Sequence, residues 1–162
     1  MEAPRPLWLT GEEMQTWLAL AGVLIRLPSA LDAQLLRDAG MSHFEYVVIA
    51  GLSDAPERTM RMSKLAVLTN GSLSRLSQVV SRLEKRGWVR RTPDPCDGRY
   101  TLAILTEAGW AKVVETAPGH VQAVRSLVLD PLTKAQTRQL RDIGHRILRT
   151  IDNGASAETG KK

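Results

Sequence analysis

The chain has 162 residues, of which 43% are hydrophobic and 24% are charged, and its formal net charge is +5. The length and composition predict a single globular domain, residues 1–162, with a buried core, and they exclude global disorder. The positive charge favours a polyanionic partner, either nucleic acid or an anionic surface. Cys96 is the only cysteine, which excludes an internal disulfide framework and suits a reducing cytoplasm.

A long apolar pattern at helical spacing begins at the capping sequence Thr10–Glu13 and ends at Gly40. Pro28 predicts a kink or short break in this helix, because proline lacks an amide hydrogen. The pattern has more apolar residues than one face of a small domain needs, so we expect a partner chain to cover part of it. We expect no apolar run long enough to cross a bilayer and no signal peptide, and therefore a cytoplasmic protein without a membrane partner.

The centre of the chain predicts a helix-turn-helix. A capped helix begins at Ser42, a short strand segment is predicted over residues 59–62, and a short helix covers Ser63–Thr69. Asn70-Gly71 is a strong turn signal, and a basic helix follows it. Two short helices joined by a tight turn, the second of them basic, are typical of a DNA-binding helix-turn-helix.

The basic helix extends from the capping residue Ser72 to Gly87, which can adopt the left-handed conformation that ends a helix. One face carries an apolar stripe, formed by Leu73, Leu76, Val79, Val80 and Leu83. The opposite face carries hydroxyls, an amide and cations, and Glu84 is its only acid. Arginine and glutamine side chains match the hydrogen-bonding edges of guanine and adenine, so this face is predicted to contact the major groove.

Behind this helix, two β-rich runs, Trp88–Thr92 and Tyr100–Leu105, enclose a loop of turn-forming residues with Arg99 near its tip. A hairpin after a helix-turn-helix is a wing, and its arginine can enter the minor groove. We expect Asp97 to support the wing by holding the loop or the arginine through a charge-assisted hydrogen bond. Cys96 is interpreted as incidental, because the nearby charges offset one another and give no strong thiolate activation.

The predicted DNA-binding residues lie on the two helices of the helix-turn-helix and in the wing. They are Lys64, Ser72, Ser74, Arg75, Ser77, Gln78, Ser81, Arg82, Arg91 and Arg99. After the wing, helical patterns continue to about residue 152, and Pro118-Gly119 predicts a bend within them. The small, polar residues 153–162 predict a disordered tail.

Four segments, taken in this order, resemble the MarR family of bacterial winged-helix regulators. They are Ser63-Lys-Leu-Ala66, Arg82–Val89, Asp97-Gly-Arg99 and Leu105–Gly109. The resemblance implies a homodimer joined through its N- and C-terminal helices, a pseudo-palindromic operator, and a small-molecule or redox cue that weakens DNA binding. The fold class is then mainly α with a small β-wing: a winged helix-turn-helix at about residues 42–105 between dimerisation helices at about residues 10–40 and 107–152.

The family places effectors between its first, second and fifth helices, where five residues of this chain could line a pocket. They are Trp17, Arg26, His43, Tyr46 and Trp110. The expected effector is a small aromatic or phenolic compound whose carboxylate could pair with Arg26. The alternative interpretation of the aromatic residues is that they belong to the core or to an interface. The three histidines lie far apart in the sequence, so we predict no metal site, and we expect no cofactor.

The sequence has no recognisable catalytic motif, so the chain is predicted not to be an enzyme. The prediction is a homodimeric transcriptional regulator, a repressor that binds double-stranded DNA and is released by a small molecule. The alternative is a helical interaction protein whose basic face binds an acidic protein or a membrane surface. The wing favours the regulator, because a protein-docking helix does not need an arginine-tipped hairpin behind it.

Overall fold

The computed structural model describes the backbone of residues 8–159 and the side chains of residues 8–154. Within that range the chain is mostly helical, with one three-stranded antiparallel sheet. The elements are α1 (Gly11–Ala39), α2 (His43–Ser53), β1 (Thr59–Arg61), α3 (Met62–Leu68), α4 (Leu73–Lys85), β2 (Val89–Pro93), β3 (Thr101–Leu105), α5 (Glu107–Val124) and α6 (Lys134–Thr159). The chain divides into two compact units, with the boundary between Val121 and Gln122.

Helix α1 begins with a reciprocal cap. The Thr10 amide donates to the Glu13 carboxylate at 2.7 Å, and the Glu13 amide donates to the Thr10 hydroxyl at 3.3 Å. The helix passes through Pro28 without interruption, which corrects the expected break. Proline removes a single hydrogen bond, and the turns on both sides of it keep theirs. The helix ends at Gly40, whose φ of 65° lies in the left-handed region.

Most of α1 is exposed in a single chain. Its apolar side chains that are more than half exposed are Trp17, Leu18, Val23, Leu24, Ile25 and Leu36. By length and composition the helix is also apolar enough to cross a membrane. This finding corrects the expectation that no apolar run has that length, because Arg26 is the only charged residue between Met14 and Leu31. Near its C-terminal end, Leu31 and Leu35 are buried, and this part of α1 contacts α2.

The core of the first unit lies among α2, α3, α4 and the sheet. Its fully buried large side chains are Leu35, Met41, Val48, Ile49, Leu52, Leu65, Leu76, Val80 and Leu83. The strand order is β1-β3-β2, with Thr59 opposite Ile104 and Val89 opposite Leu105. The predicted short strand, the helix-turn-helix and the wing hairpin are therefore confirmed.

Two segments of the C-terminal half are helical where the sequence predicted a bend and a disordered tail. Helix α5 continues through Pro118 to Val124, so the predicted bend does not interrupt it, and a π-helical turn follows at Arg125–Leu129. Helix α6 continues to Thr159, where residues 153–159 were predicted to be disordered. Extending an existing helix costs far less than starting one, so a short polar segment can follow the preceding turns into helix. Residues 160–162 of the predicted tail lie outside the described residues.

Candidate nucleic-acid interface

Helix α4 has the predicted ends and the predicted buried face. The Ser72 hydroxyl accepts a hydrogen bond from the Arg75 amide at 3.2 Å, and Gly87 has a φ of 75°. The four buried side chains are at most 3% exposed and are Leu76, Val79, Val80 and Leu83. They fix the rotation of the helix about its axis, and this rotation determines which side chains face outward.

Leu73 does not belong to the buried stripe, which corrects the prediction. Its side chain is 53% exposed at the first position of α4. It lies at the margin of the apolar face and lines an open cleft of about 240 Å³ between α3, α4 and the wing. The other residues lining this cleft are Met62, Ser63, Ser77, Arg91, Arg99, Tyr100 and Thr101.

One flank of α4 is bound to strand β2 by Arg91. Its Nε and Nη2 donate to Glu84 Oε2 at 2.9 and 2.6 Å, and its backbone amide donates to Glu84 Oε1 at 2.9 Å. The same guanidinium donates to the hydroxyls of Ser77 at 3.2 Å and Ser81 at 2.9 Å. The hydrogen bonds from Arg91 hold the pKa of Glu84 below its usual value. Three predicted DNA-binding residues are thus joined to one another and to an acid.

The other flank of α4 is supported by α2. The Arg75 guanidinium lies 4.3 Å from the centre of the Phe44 ring, and Arg82 Nε donates to Glu45 Oε1 at 3.2 Å. Burial raises the pKa of Glu45, but hydrogen bonds from the Ser42 amide and from Arg82 more than offset this effect, and the pKa is lowered overall. Glu45 therefore stays ionised and holds one of the cations on this face in a defined position.

Between the two flanks, α4 presents an outward face. Its exposed side chains include Ser74, Gln78 and Lys85. Lys64, the predicted contact on α3, is also exposed. The helix thus displays a hydroxyl, an amide and an ammonium group beside two supported arginines, Arg75 and Arg82. This is the donor-rich surface that phosphates and base edges require.

The wing carries the predicted pair of charged residues. Arg99 Nε and Nη2 donate to the two carboxylate oxygens of Asp97 at 3.0 and 2.7 Å, and the Arg99 side chain is 85% exposed. The hydrogen bonds from Arg99 lower the pKa of Asp97. The predicted charge-assisted contact is therefore present, and Asp97 aligns a guanidinium that remains open to solvent.

Asp94 organises the rest of the wing loop. This buried carboxylate accepts hydrogen bonds from the Cys96 amide at 2.9 Å and from Arg61 Nε at 2.7 Å. Both contacts lower its pKa. Arg61 also lies 4.4 Å from the centre of the Tyr100 ring, so strand β1 is tied to both sides of the loop. Cys96 is exposed, and its amide takes part in this arrangement.

The structure divides the five predicted effector residues among separate places. His43 and Tyr46 lie together, with the His120 ring 5.8 Å from His43 and 4.5 Å from Tyr46. Trp17 lines an open groove at the start of α1, and Arg26 is exposed. The other residues lining this groove are Leu9, Thr10, Glu12, Glu13, Thr16 and Leu20. Trp110 lies under the Arg58 guanidinium at 4.4 Å. An effector role for any of these residues stays a prediction.

Sequence reasoning missed the residues that hold the interface in place. They are Phe44, Glu45, Arg61, Glu84 and Asp94. Glu84 could have been found, because a single acid on a basic helix face has many possible cationic partners. Asp94 is flanked by two prolines in the wing loop, a pattern that marks a turn but does not identify Arg61 as its partner.

An exposed basic helix, its preceding turn and an arginine-tipped hairpin together define a winged helix-turn-helix protein. A model of the MarR family matches residues 39–99 of this chain. Sco3205, a MarR family transcriptional regulator from Streptomyces coelicolor solved in complex with DNA, is 43% identical with a TM-score of 0.86, and the match covers 91% of this chain and 92% of that chain. This chain belongs to the MarR family of transcriptional regulators.

Two relatives match over shorter segments. The HTH-type transcriptional regulator YdcH of Bacillus subtilis is 32% identical over 85 residues, which are 51% of this chain and 58% of YdcH. The transcriptional repressor MprA of Escherichia coli K12 is 24% identical over 119 residues, which are 74% of this chain and 67% of MprA. The chain therefore spans little more than half the length of YdcH.

Proposed function

We propose that this chain is a homodimeric repressor that binds a pseudo-palindromic site in double-stranded DNA and is released by a small-molecule effector. The observation that carries the proposal is the pairing of α4 with the wing. Arg91 fixes the wing strand against the helix, and Arg99 remains exposed beside it. A helix for the major groove and a cation for the adjacent minor groove are thereby held at one fixed spacing.

The complex of Sco3205 with DNA supports the choice of nucleic acid as the partner. The predicted contacts with the major groove are Arg75 and Gln78, and the predicted contact with the minor groove is Arg99. An acidic protein or an anionic membrane would be attracted by the same positive charge, but neither requires a helix and a wing at fixed spacing. The similarity to MprA supports repression as the direction of regulation.

The exposed apolar surface supports a homodimer. In α1, five large apolar side chains between Trp17 and Ile25 are more than half exposed. In α6, the exposed apolar side chains are Leu140, Ile143, Ile147, Leu148 and Ile151. Surface of this kind rarely stays in water, and permanent dimers bury more than about 2,000 Å² in total. We infer that a second copy covers these faces, and that α1 serves the dimer and not a membrane.

The region where α1, α2 and α5 meet is the proposed effector site. His120 Nδ1 lies 3.3 Å from Gln34 Oε1, and the His120 ring lies 5.8 Å from that of His43 and 4.5 Å from that of Tyr46. Thr116, one turn before His120 on the same face of α5, is buried, and its hydroxyl has no hydrogen-bond partner among the described residues. A small aromatic acid has the ring and the acceptor oxygens that such a lining suits.

We also propose that the protein is cytoplasmic and that it is not an enzyme. Its family and its structural neighbours are transcriptional regulators, which supports a binding function. The proposed protein binds DNA and changes the distance between the two winged helix-turn-helix units of its dimer. Neither action makes or breaks a covalent bond. The proposal therefore includes no cofactor and no metal.

The main test is binding of the purified protein to duplexes selected from a random DNA pool. We expect one enriched sequence with two half-sites about one helical turn apart, and an affinity that falls steeply with salt. Two competitors are compared with DNA: vesicles that contain anionic lipids, and an acidic protein. Each is added at the same total negative charge as the DNA. If either competed with the selected DNA as effectively as unlabelled DNA of that sequence, the alternative function would replace this one.

The dimer is tested by light scattering at micromolar concentration. Wild-type protein should have twice the mass of the chain. Leu24→Glu places a charge in the exposed apolar face of α1 and should reduce the mass to that of a monomer. The matched control Val67→Glu changes an exposed aliphatic residue on α3 and should leave the dimer intact. A wild-type protein with the mass of a monomer would contradict the proposed dimer.

The effector site is tested with a panel of aromatic acids. A binding acid should raise the melting temperature and release the selected DNA, since a ligand must favour one arrangement of the dimer to act as a switch. Thr116→Val removes the unpaired hydroxyl at nearly constant volume and should weaken the effect of that acid. If no acid in the panel changed the melting temperature or released the DNA, we would withdraw both the proposed acid effector and the proposed effector site.

A further inference from the structure

The exposure of Leu73 is not explained by the stability of α4. The Ser72 hydroxyl already caps the helix, and four other apolar side chains of α4 are already buried in the core. A single exposed leucine is ordinary on a protein surface. Leu73 differs because of its position at the first residue of the helix that is proposed to enter the major groove.

The surroundings of Leu73 are those of a nucleic-acid contact. The cleft that it lines also has the hydroxyl residues Ser63 and Thr101 and the exposed cation Arg99 on its walls, together with Ser77 and Arg91, which are hydrogen-bonded to each other. Its neighbours in the chain, Ser72 and Ser74, have short side chains, and Leu73 itself remains 53% exposed. An aliphatic surface is thus accessible among groups that bind phosphates.

The major groove offers such a surface one kind of partner. Its hydrogen-bonding edges are polar, and the C5-methyl group of thymine is the aliphatic group that it presents. The first residues of a recognition helix are those that meet base edges. We infer that Leu73 reads a thymine in each half-site by burying the methyl group of that base. This inference rests on the proposed DNA-binding function and adds a specificity residue to it.

The test removes the methyl group from the DNA and the leucine from the protein, separately and together. In the duplex selected by the wild-type protein, each thymine is replaced in turn by deoxyuridine, which keeps the base pair and lacks only the methyl. Burying one methylene-sized group changes affinity about fourfold. We expect one thymine position to lose about fourfold per half-site, and more than tenfold when both half-sites are changed.

The protein variant should remove this sensitivity. Leu73→Ala should bind the selected duplex more weakly and bind the thymine and deoxyuridine duplexes equally at that position. Its melting temperature should stay near that of the wild type, because the side chain is exposed. Leu73→Met, which keeps an aliphatic surface, should retain the sensitivity. The control Val67→Ala removes an 82% exposed aliphatic residue from α3 and should also leave the sensitivity intact.

Two results would overturn the inference while leaving the proposed function in place. One is a selected duplex in which no thymine is sensitive to deoxyuridine. The other is a sensitive thymine that stays equally sensitive in Leu73→Ala. A protein that selects no sequence from the pool would overturn the proposed function as well.

Discussion

Glu84 accepts three hydrogen bonds from Arg91, one from the backbone amide and two from the guanidinium group. The charge of Arg91 is therefore largely neutralised within the protein, and its remaining contacts go to the hydroxyls of Ser77 and Ser81. The sequence pattern grouped Arg91 with the cations that bind DNA. These contacts lead us to interpret it as a positioning residue, which acts through the orientation of α4 and β2.

The first prediction follows from that neutralised charge. Arg91→Ala should weaken binding to the selected DNA and lower the free energy of unfolding by about 1 kcal/mol, because the pair is partly exposed. The slope of log affinity against log salt should stay near the wild-type value, because no phosphate contact is lost. Arg90→Ala, at the exposed neighbouring position on β2, should not change the stability. A slope reduced by about one unit per half-site in Arg91→Ala would show that Arg91 contacts a phosphate.

The second prediction concerns the wing. Arg99→Ala should leave folding and dimerisation intact, weaken binding to the selected DNA about tenfold or more, and lower the salt slope by about one unit per half-site. Asp97→Ala should give a smaller loss, because the guanidinium remains but is no longer aligned. The control Arg141→Ala removes another exposed arginine beside an aspartate, on α6. Unchanged affinity and slope in Arg99→Ala would mean that the wing is an ordinary surface hairpin.

The third prediction concerns base recognition by α4. Gln78→Ala and Arg75→Ala should each weaken binding to the selected DNA by about 1–3 kcal/mol and relax the sequence preference at one base pair. Phe44→Leu keeps an apolar side chain but removes the ring beneath Arg75, so it should cost about two- to fivefold in affinity. Random duplex DNA is the reference. Equal losses on selected and random DNA would identify these side chains as phosphate contacts.

Short sequence motifs predicted where the helix of the interface begins and ends. The cap at Ser72 and the left-handed Gly87 could be read from the sequence because each depends on a few neighbouring residues. Periodicity predicted which side of α4 is apolar, but it does not show where the core ends along the helix, so Leu73 was misplaced. The partner of Asp94 is Arg61, 33 residues away, and a contact of that range depends on the register of the sheet, which a single sequence does not define.

The fourth prediction is a pH dependence of stability that comes from His43 and His120. Burial lowers the pKa of both residues, and for His120 the nearby His43 lowers it further. Their pKa values in the folded state therefore lie below the ordinary 6.5 that the unfolded chain has. As the pH falls below about 6.5, the unfolded chain takes up protons first, so the free energy of unfolding decreases.

This dependence is measured by urea unfolding between pH 8 and pH 5. His120→Gln should flatten the profile in that window, and His145→Gln, at an exposed position on α6, should leave it unchanged. The carboxylates with lowered pKa values, such as Glu45 and Glu84, release their stabilisation at still lower pH and do not interfere. A profile in His120→Gln as steep as that of the wild type would exclude this histidine as its source.

The contacts between Arg91 and α4 have a consequence for how binding sites of this protein can evolve. Because helix and hairpin are fastened together, the distance from the major-groove bases to the minor-groove position is set by the protein within each half-site. Inserting one base pair between those two positions should abolish recognition of that half-site. Changes at the centre of the palindrome alter only the distance between the two winged helix-turn-helix units of the dimer. The same distance would change when an effector releases the dimer from DNA. New operators should therefore differ in their centres and conserve the length of their arms.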